Sequence, residues 1–256
     1  MAQPRMPAPA PAQPPSPAAS PEQRAGRSGT RSGARVLVVG GAGPVGRAVA
    51  TRLAGLGHQL AVQGAASVAV DAGRDDRPSH RADPAGIAPT LLPADRSDAD
   101  AMSGVVPAAC RALGGLDAVV ILPAERPAAP PMSLHPDSWA DAWSHVLAAD
   151  VLAAACVAHA AAHLFRADPP TAGRIVLVTG GSGSGTPGGL PAVAADAAIA
   201  ALGAELARDL DGQGVAVSVV CPRPEPADRV AGDVAETVTT LLSGPALPGM
   251  TVRLGG

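Results

Sequence analysis

The sequence predicts an α/β domain built on a doubly wound, mostly parallel sheet, and three features lead there. From Arg35 to Leu254, short runs of Val, Leu and Ile alternate with longer alanine-rich stretches of helical length. The runs are continuously apolar, as in strands covered on both faces. The first run passes directly into glycines that open a helix.

Arg35 to Val39 (RVLVV) reads as the first buried strand, and Val45 to Leu56 as the helix after it. Gln59 to Val62 is a second strand. Residues 64–89 are crowded with Asp, Arg, Pro and Gly and hold at best a weak helix. Thr90 to Leu92 starts a third strand, and Ser97 to Leu113 reads as a helix with Ser97 as its N-cap. Leu116 to Leu122 (LDAVVIL) is the fourth strand. One long helix lies within Pro136 to Phe165, with room for a short one before it. Arg174 to Thr179 follows as a strand, Ala192 to Leu210 as a helix and Val215 to Val220 as a strand. Ala231 to Leu242 is the last helix and Met250 to Leu254 the last strand.

Composition bounds the rest. With 47% hydrophobic and 16% charged residues, the chain can bury a core of single-domain size. Aromatics are 1%, so that core must be Ala, Val and Leu. Residues 1–33 are rich in Pro, Ala, Ser and Gln, have almost nothing to bury, and are expected to be a disordered tail before a domain over 34–256. A formal net charge of -3 without a basic cluster argues against nucleic acid as a partner. The apolar run from Val146 to Phe165 has the length of a membrane span. It carries Asp150, His159 and His163, so a packed soluble helix is expected and no membrane partner. Cys110, Cys156 and Cys221 lie far apart without ligand spacing, and read as small buried residues of a reducing cytoplasm.

The glycine loop is the main candidate site. Gly40, Gly41 and Gly43 follow the first strand directly, and Val45 and Gly46 open the first helix, with glycines spaced GxxGxxG. Glycine permits the tight turn and lets a pyrophosphate approach main-chain N–H groups at a helix N-terminus. This points to a dinucleotide, NADP or NAD. The second strand ends at Gln63, Gly64 and Ala65, with no acid or arginine to read a ribose. Arg47 would meet a 2′-phosphate and favour NADP; a solvated arginine at a helix start explains it more simply. His159 and His163 have zinc-capable i, i+4 spacing, but no third ligand is evident, and a polar helix-face pair is expected rather than a metal site. Gly181 to Gly185, which includes Ser182 and Ser184, reads as a glycine loop rather than a nucleophile elbow.

The ordered segments resemble the short-chain dehydrogenase/reductase family, close to its beta-ketoacyl-ACP reductase type. The resemblance runs over about residues 35–256. It rests on Leu92 to Asp98, Leu116 to Val120, Asp137 to Leu152, Gly173 to Val178, Glu205 to Leu210, Gly214 to Pro222, and Asp233 to Gly256. It implies a Rossmann-like fold, and it implies that Asp95 contacts adenine.

The family's reaction runs on an Asn-Ser-Tyr-Lys set, and this chain has no tyrosine, lysine or asparagine anywhere. A GC-rich genome explains absent surface lysines, since arginine replaces them; it explains a missing catalytic Tyr or Lys poorly, because the guanidinium fork is no substitute for a compact ammonium. The resemblance places the Asn on Asp150, the Ser on Gly180, the Tyr on Ala192 or Val193, and the Lys on Asp196 or Ala197. Ala or Val has no proton to give, and Asp196 reverses the local charge. Val39 stands for the threonine of the glycine motif, Pro44 for a glycine, and Ile121 to Ala124 for NNAG. After Pro222 only Arg223 to Gly232 precedes the last helix, too short for a large substrate lid.

No catalytic residue is therefore assigned. The leading expectation is a non-catalytic subunit that assembles as a homo- or hetero-oligomer, with a catalytic relative as the favoured partner. Helices 144–165 and 192–210 would form the contact, as the resemblance implies. The alternatives are an oxidoreductase with displaced catalytic groups, or an NADP-binding regulator.

Overall fold

The computed structural model describes residues 33–64, 88–125, 133–168, 173–181, 189–225, 227–245 and 248–255. The expected tail and most of the 64–89 segment lie outside them, as do Ser182 and Ser184.

The strands are β1 Arg35–Val39, β2 Gln59–Gln63, β3 Thr90–Leu92, β4 Ala118–Ile121, β5 Gly173–Val178, β6 Val215–Cys221 and β7 Met250–Arg253. All pair in parallel, in the order β3-β2-β1-β4-β5-β6-β7. The helices are α1 Pro44–Gly55, α2 Ala99–Leu113, α3 Pro136–Val146, α4 Ala153–Ala167, α5 Leu190–Asp209 and α6 Ala227–Ser243. A π-helical turn, Leu147–Leu152, joins α3 to α4, so the long helix runs from Pro136 to Ala167 and contains a local widening.

Alternate strand residues face opposite sides, which makes two cores. Leu37, Val39, Val119, Ile121, Ile175, Leu177 and Val217 pack under α2, α4 and α5. Val36, Val38, Val62, Val120, Val176, Val178 and Val220 pack under α1 and α6. Phe165, the chain's one phenylalanine, is 1% exposed in the first core, and alanines Ala153, Ala154, Ala158 and Ala161 bring α4 close to the sheet. The long apolar helix is thus a core helix of the domain.

Most element boundaries lie within two residues of the sequence reading; the cap of α2 and the start of α6 are the differences with consequences. The N-cap of α2 is Asp98, whose Oδ1 accepts the N–H groups of Asp100 (2.9 Å) and Ala101 (3.1 Å). Ser97, one residue before the cap, instead donates its hydroxyl to Asp95 (2.8 Å). The last helix starts at Ala227, four residues before the expected Ala231, which shortens the segment after Pro222 further. The three cysteines are free thiols and half-buried rather than buried.

At the N-terminal ends of the strands, Arg35 clasps Asp117 in a fork. Nε donates to Oδ2 (2.9 Å) and Nη2 to Oδ1 (2.6 Å), while Arg35 N–H also reaches Oδ2 (2.8 Å). That hydrogen-bonded carboxylate raises the Arg35 pKa further. The strand order reverses between β1 and β4, so the cleft beyond their C-terminal ends is where such sheets bind ligands.

Candidate functional site

The glycine loop stands at that reversal. Gly40 has φ +89°, a conformation side-chain-bearing residues rarely adopt. A Cβ on Gly41 would lie 2.2 Å from Val62 Cγ1, and one on Gly46 only 2.3 Å from the Gly40 carbonyl oxygen. Those two glycines let strand, loop and helix close on one another. Gly43, the N-cap of α1, is different: nothing lies within 4 Å of the Cβ position.

Gln63 organises the loop. It is 2% exposed; its Oε1 accepts the Gly40 N–H (3.1 Å), its carbonyl accepts the Gly41 N–H (3.1 Å), and its Nε2 donates to the Ala94 carbonyl (2.8 Å). Two loop amides are thereby committed within the protein, and Pro44 has none. The N–H groups left at the start of α1 are those of Val45 and Gly46. These residues fit a pyrophosphate lying over Gly43 against the two helix amides.

Arg96 is the second organiser. Its Nε donates to the Ala149 carbonyl in the π-helical turn (2.9 Å), and its Nη1 lies 2.7 Å from where a Gly40 Cβ would be. Arg47 is exposed and its guanidinium donates to the Ala42 carbonyl of its own loop. Asp95 is exposed and accepts the Ser97 N–H (2.9 Å) and hydroxyl (2.8 Å), which hold its carboxyl below the usual range. The sequence reading included Arg47 and Asp95 but missed Gln63 and Arg96. A polar residue ending an apolar run was the available signal for Gln63.

Beneath the cleft, the positions matched to the catalytic set lie together. Asp150 is 2% exposed, and its Oδ1 accepts the Ala124 N–H after β4 (2.6 Å). Asp196 is 9% exposed, and its Oδ1 accepts the Gly180 N–H after β5 (2.8 Å). Both side chains line one small, partly open space of about 10 Å³ with Leu122, Pro123, Val178 and Ile199. That space holds about one water molecule. Ala192 and Val193 are half-buried on the first turn of α5, so no acidic hydrogen is offered there. Among the described residues no group of three or more His, Cys, Asp or Glu is placed to hold a metal ion. A larger open volume, about 520 Å³, lies between α6 and the edge strand β7 and shares no lining residue with the glycine loop.

The profile of the family described as short chain dehydrogenase matches residues 34–231. No curated protein matches. A short chain dehydrogenase from Burkholderia cenocepacia J2315, solved in complex with NADP, is 26% identical. The match covers 89% of this chain and 98% of that one, with a TM-score of 0.71. A dehydrogenase/reductase from Sinorhizobium meliloti 1021 is 25% identical over 87% of this chain and 93% of that one, with a TM-score of 0.66. A short chain dehydrogenase from Mycobacterium smegmatis is 20% identical over 88% and 93%, with a TM-score of 0.68, a likeness of fold alone.

Proposed function

Because the chain belongs to the short chain dehydrogenase family, we propose that it serves there as a non-catalytic subunit. The observation that carries this reading is the Asp196 carboxyl oxygen on the Gly180 N–H. At Asp196, one of the two positions the resemblance matches to lysine, an acidic side chain is bonded to the main chain at the position matched to serine. Asp150 does the same for Ala124. The groups that would move protons are replaced by groups that fasten the ends of β4 and β5. No polar hydrogen faces a carbonyl from Ala192 or Val193.

The partner is a catalytic member of the same family or another copy of this chain. The contact surfaces are helices 144–165 and 192–210. In support, α5 is strongly apolar, yet only 28% of its most apolar stretch is buried. Leu147, Leu152 and Leu190 are exposed on the same side of the sheet. Beta-ketoacyl-ACP reductase is the partner type that the sequence resemblance favours. Co-expression with a YxxxK-bearing short chain dehydrogenase of the same genome tests this: co-purification at fixed stoichiometry is expected. Recovery of this chain alone would overturn the hetero-oligomer.

The open space at Gly43 favours a second reading, retained NADP or NAD binding without turnover. Gly43, Val45 and Gly46 would hold the pyrophosphate. When bound, the nicotinamide group supplies hydride chemistry in this family, and nothing at Ala192 would complement it with a proton. Calorimetry with NADPH is expected to show binding; no heat and no thermal shift up to millimolar ligand would contradict it.

A further inference from the structure

A dinucleotide lies across the point where the strand order reverses, with one nucleotide on each side. The two sides of this cleft differ. On the side of β1, β2 and β3 the means of holding a nucleotide are present. Nothing lies within 4 Å of the Gly43 Cβ position, at the N-terminus of α1. Asp95, beyond the end of β3, is exposed. Its Oδ1 takes both bonds from Ser97 (2.9 and 2.8 Å), and its Oδ2 has no partner among the described residues. A carboxylate so placed can accept the amino group of an adenine. On the side of β4, β5 and β6 the polar groups are spent on the protein itself. Asp150 holds the Ala124 N–H (2.6 Å) and Asp196 the Gly180 N–H (2.8 Å). Gly181 has φ +68°, and a Cβ there would stand 2.5 Å from the Arg223 carbonyl oxygen, so the backbone after β5 lies against the backbone after β6. The Arg223 guanidinium is paired with Glu225 (3.3 Å) and Asp233 (3.5 Å). The space beside Asp150 and Asp196, about 10 Å³, admits about one water molecule and no ring.

We propose that the ligand of this cleft is an adenine nucleoside diphosphate, held by its ADP portion alone, and that a nicotinamide nucleotide attached to it adds no binding. The inference deepens the reading of retained dinucleotide binding and rests on it. Affinity follows the groups left to meet the ligand. A pyrophosphate over Gly43 takes the Val45 and Gly46 N–H groups and the positive end of the α1 dipole. Adenine reaches Asp95. At the positions matched to tyrosine and lysine, a nicotinamide ribose meets the hydrocarbon of Ala192 or Val193, and Asp196 or Ala197 in place of a cation. A hydroxyl or carboxamide drawn out of water without a partner there costs binding free energy rather than contributing it. Loss of the proton-transfer groups and loss of the grip on nicotinamide are then one change.

Calorimetry on the full chain compares ADP with NADH, which carry the same adenosine without a 2′-phosphate. Dissociation constants within about fivefold of each other are expected. NADH binding tighter than ADP by more than about fivefold would overturn the proposal while leaving retained dinucleotide binding in place. No heat from either ligand up to millimolar concentration would overturn both, so the two failures read differently. GDP presents a carbonyl where adenine has its amino group, and should bind more weakly than ADP by about fivefold or more. A smaller difference would overturn the assignment of the base. Gly43→Ala should weaken ADP and NADH by the same factor, because both place their pyrophosphate there. A loss confined to one of the two ligands would contradict a shared ADP site.

Discussion

The Asp196 side chain, on α5, holds the Gly180 N–H at the end of β5 at 2.8 Å. It is 9% exposed, while Gly180 lies at the surface, so this hydrogen bond is partly buried. Replacing Asp196 by Ala removes this hydrogen bond and should cost about 0.5–1.5 kcal/mol. Denaturant unfolding checks this. An unchanged midpoint would mean that Gly180 does not depend on Asp196.

The two glycines flanking the phosphate position should separate stability from binding. Gly46→Ala drives a methyl to 2.3 Å from the Gly40 carbonyl oxygen, and overpacking of this kind costs about 1–3 kcal/mol. Gly43→Ala meets nothing within 4 Å and should leave the melting temperature almost unchanged. The added methyl occupies the space over which a pyrophosphate would lie, so NADPH affinity should fall. Thermal melts with and without NADPH read both effects.

Arg35 and Asp117 join the start of β1 to the segment before β4. Their side chains are 19% and 28% exposed, so the pair is partly screened, and its forked geometry is what gives it weight. Asp117→Ala removes three hydrogen bonds from Arg35 and should destabilise by about 1.5–3 kcal/mol. Urea unfolding with an unchanged slope and a lowered midpoint is the expected record.

His58 gives a pH dependence. Burial pushes its pKa below the ordinary histidine value, and its Nδ1 accepts the Ala34 N–H (2.9 Å), which requires that nitrogen unprotonated. The unfolded chain binds this proton at higher pH than the folded one. The contribution is therefore fully present above about pH 6.5 and is lost as pH falls through the lower folded value. His58→Gln should flatten the stability profile between about pH 7 and 5, measured by thermal unfolding across that range.

Much of the fold was legible because its signals are local. After Arg35, the run VLVV is apolar at every position because Val36 and Val38 enter one core and Leu37 and Val39 the other. The glycine spacing marked the loop before any contact was known. What escaped the sequence acts over distance. Gln63 bonds to Gly40 and Ala94, 23 and 31 positions away, and Arg96 bonds to Ala149, 53 positions away. No spacing rule reaches such partners. Asp150 and Asp196 were identified as positions, but only packing showed that each fastens a strand end. Ser97 illustrates the local limit: two adjacent polar residues were candidates for the α2 cap, and Asp98 takes it while Ser97 donates to Asp95.

This chain folds as a short chain dehydrogenase, and we propose that it does not turn over substrate by itself. Steady-state oxidation of NADPH by the purified full chain, offered ketoacyl thioesters and small carbonyl compounds, tests it most directly. A rate equal to the protein-free blank with every substrate is predicted. Substrate-dependent turnover that persists through further purification would contradict it.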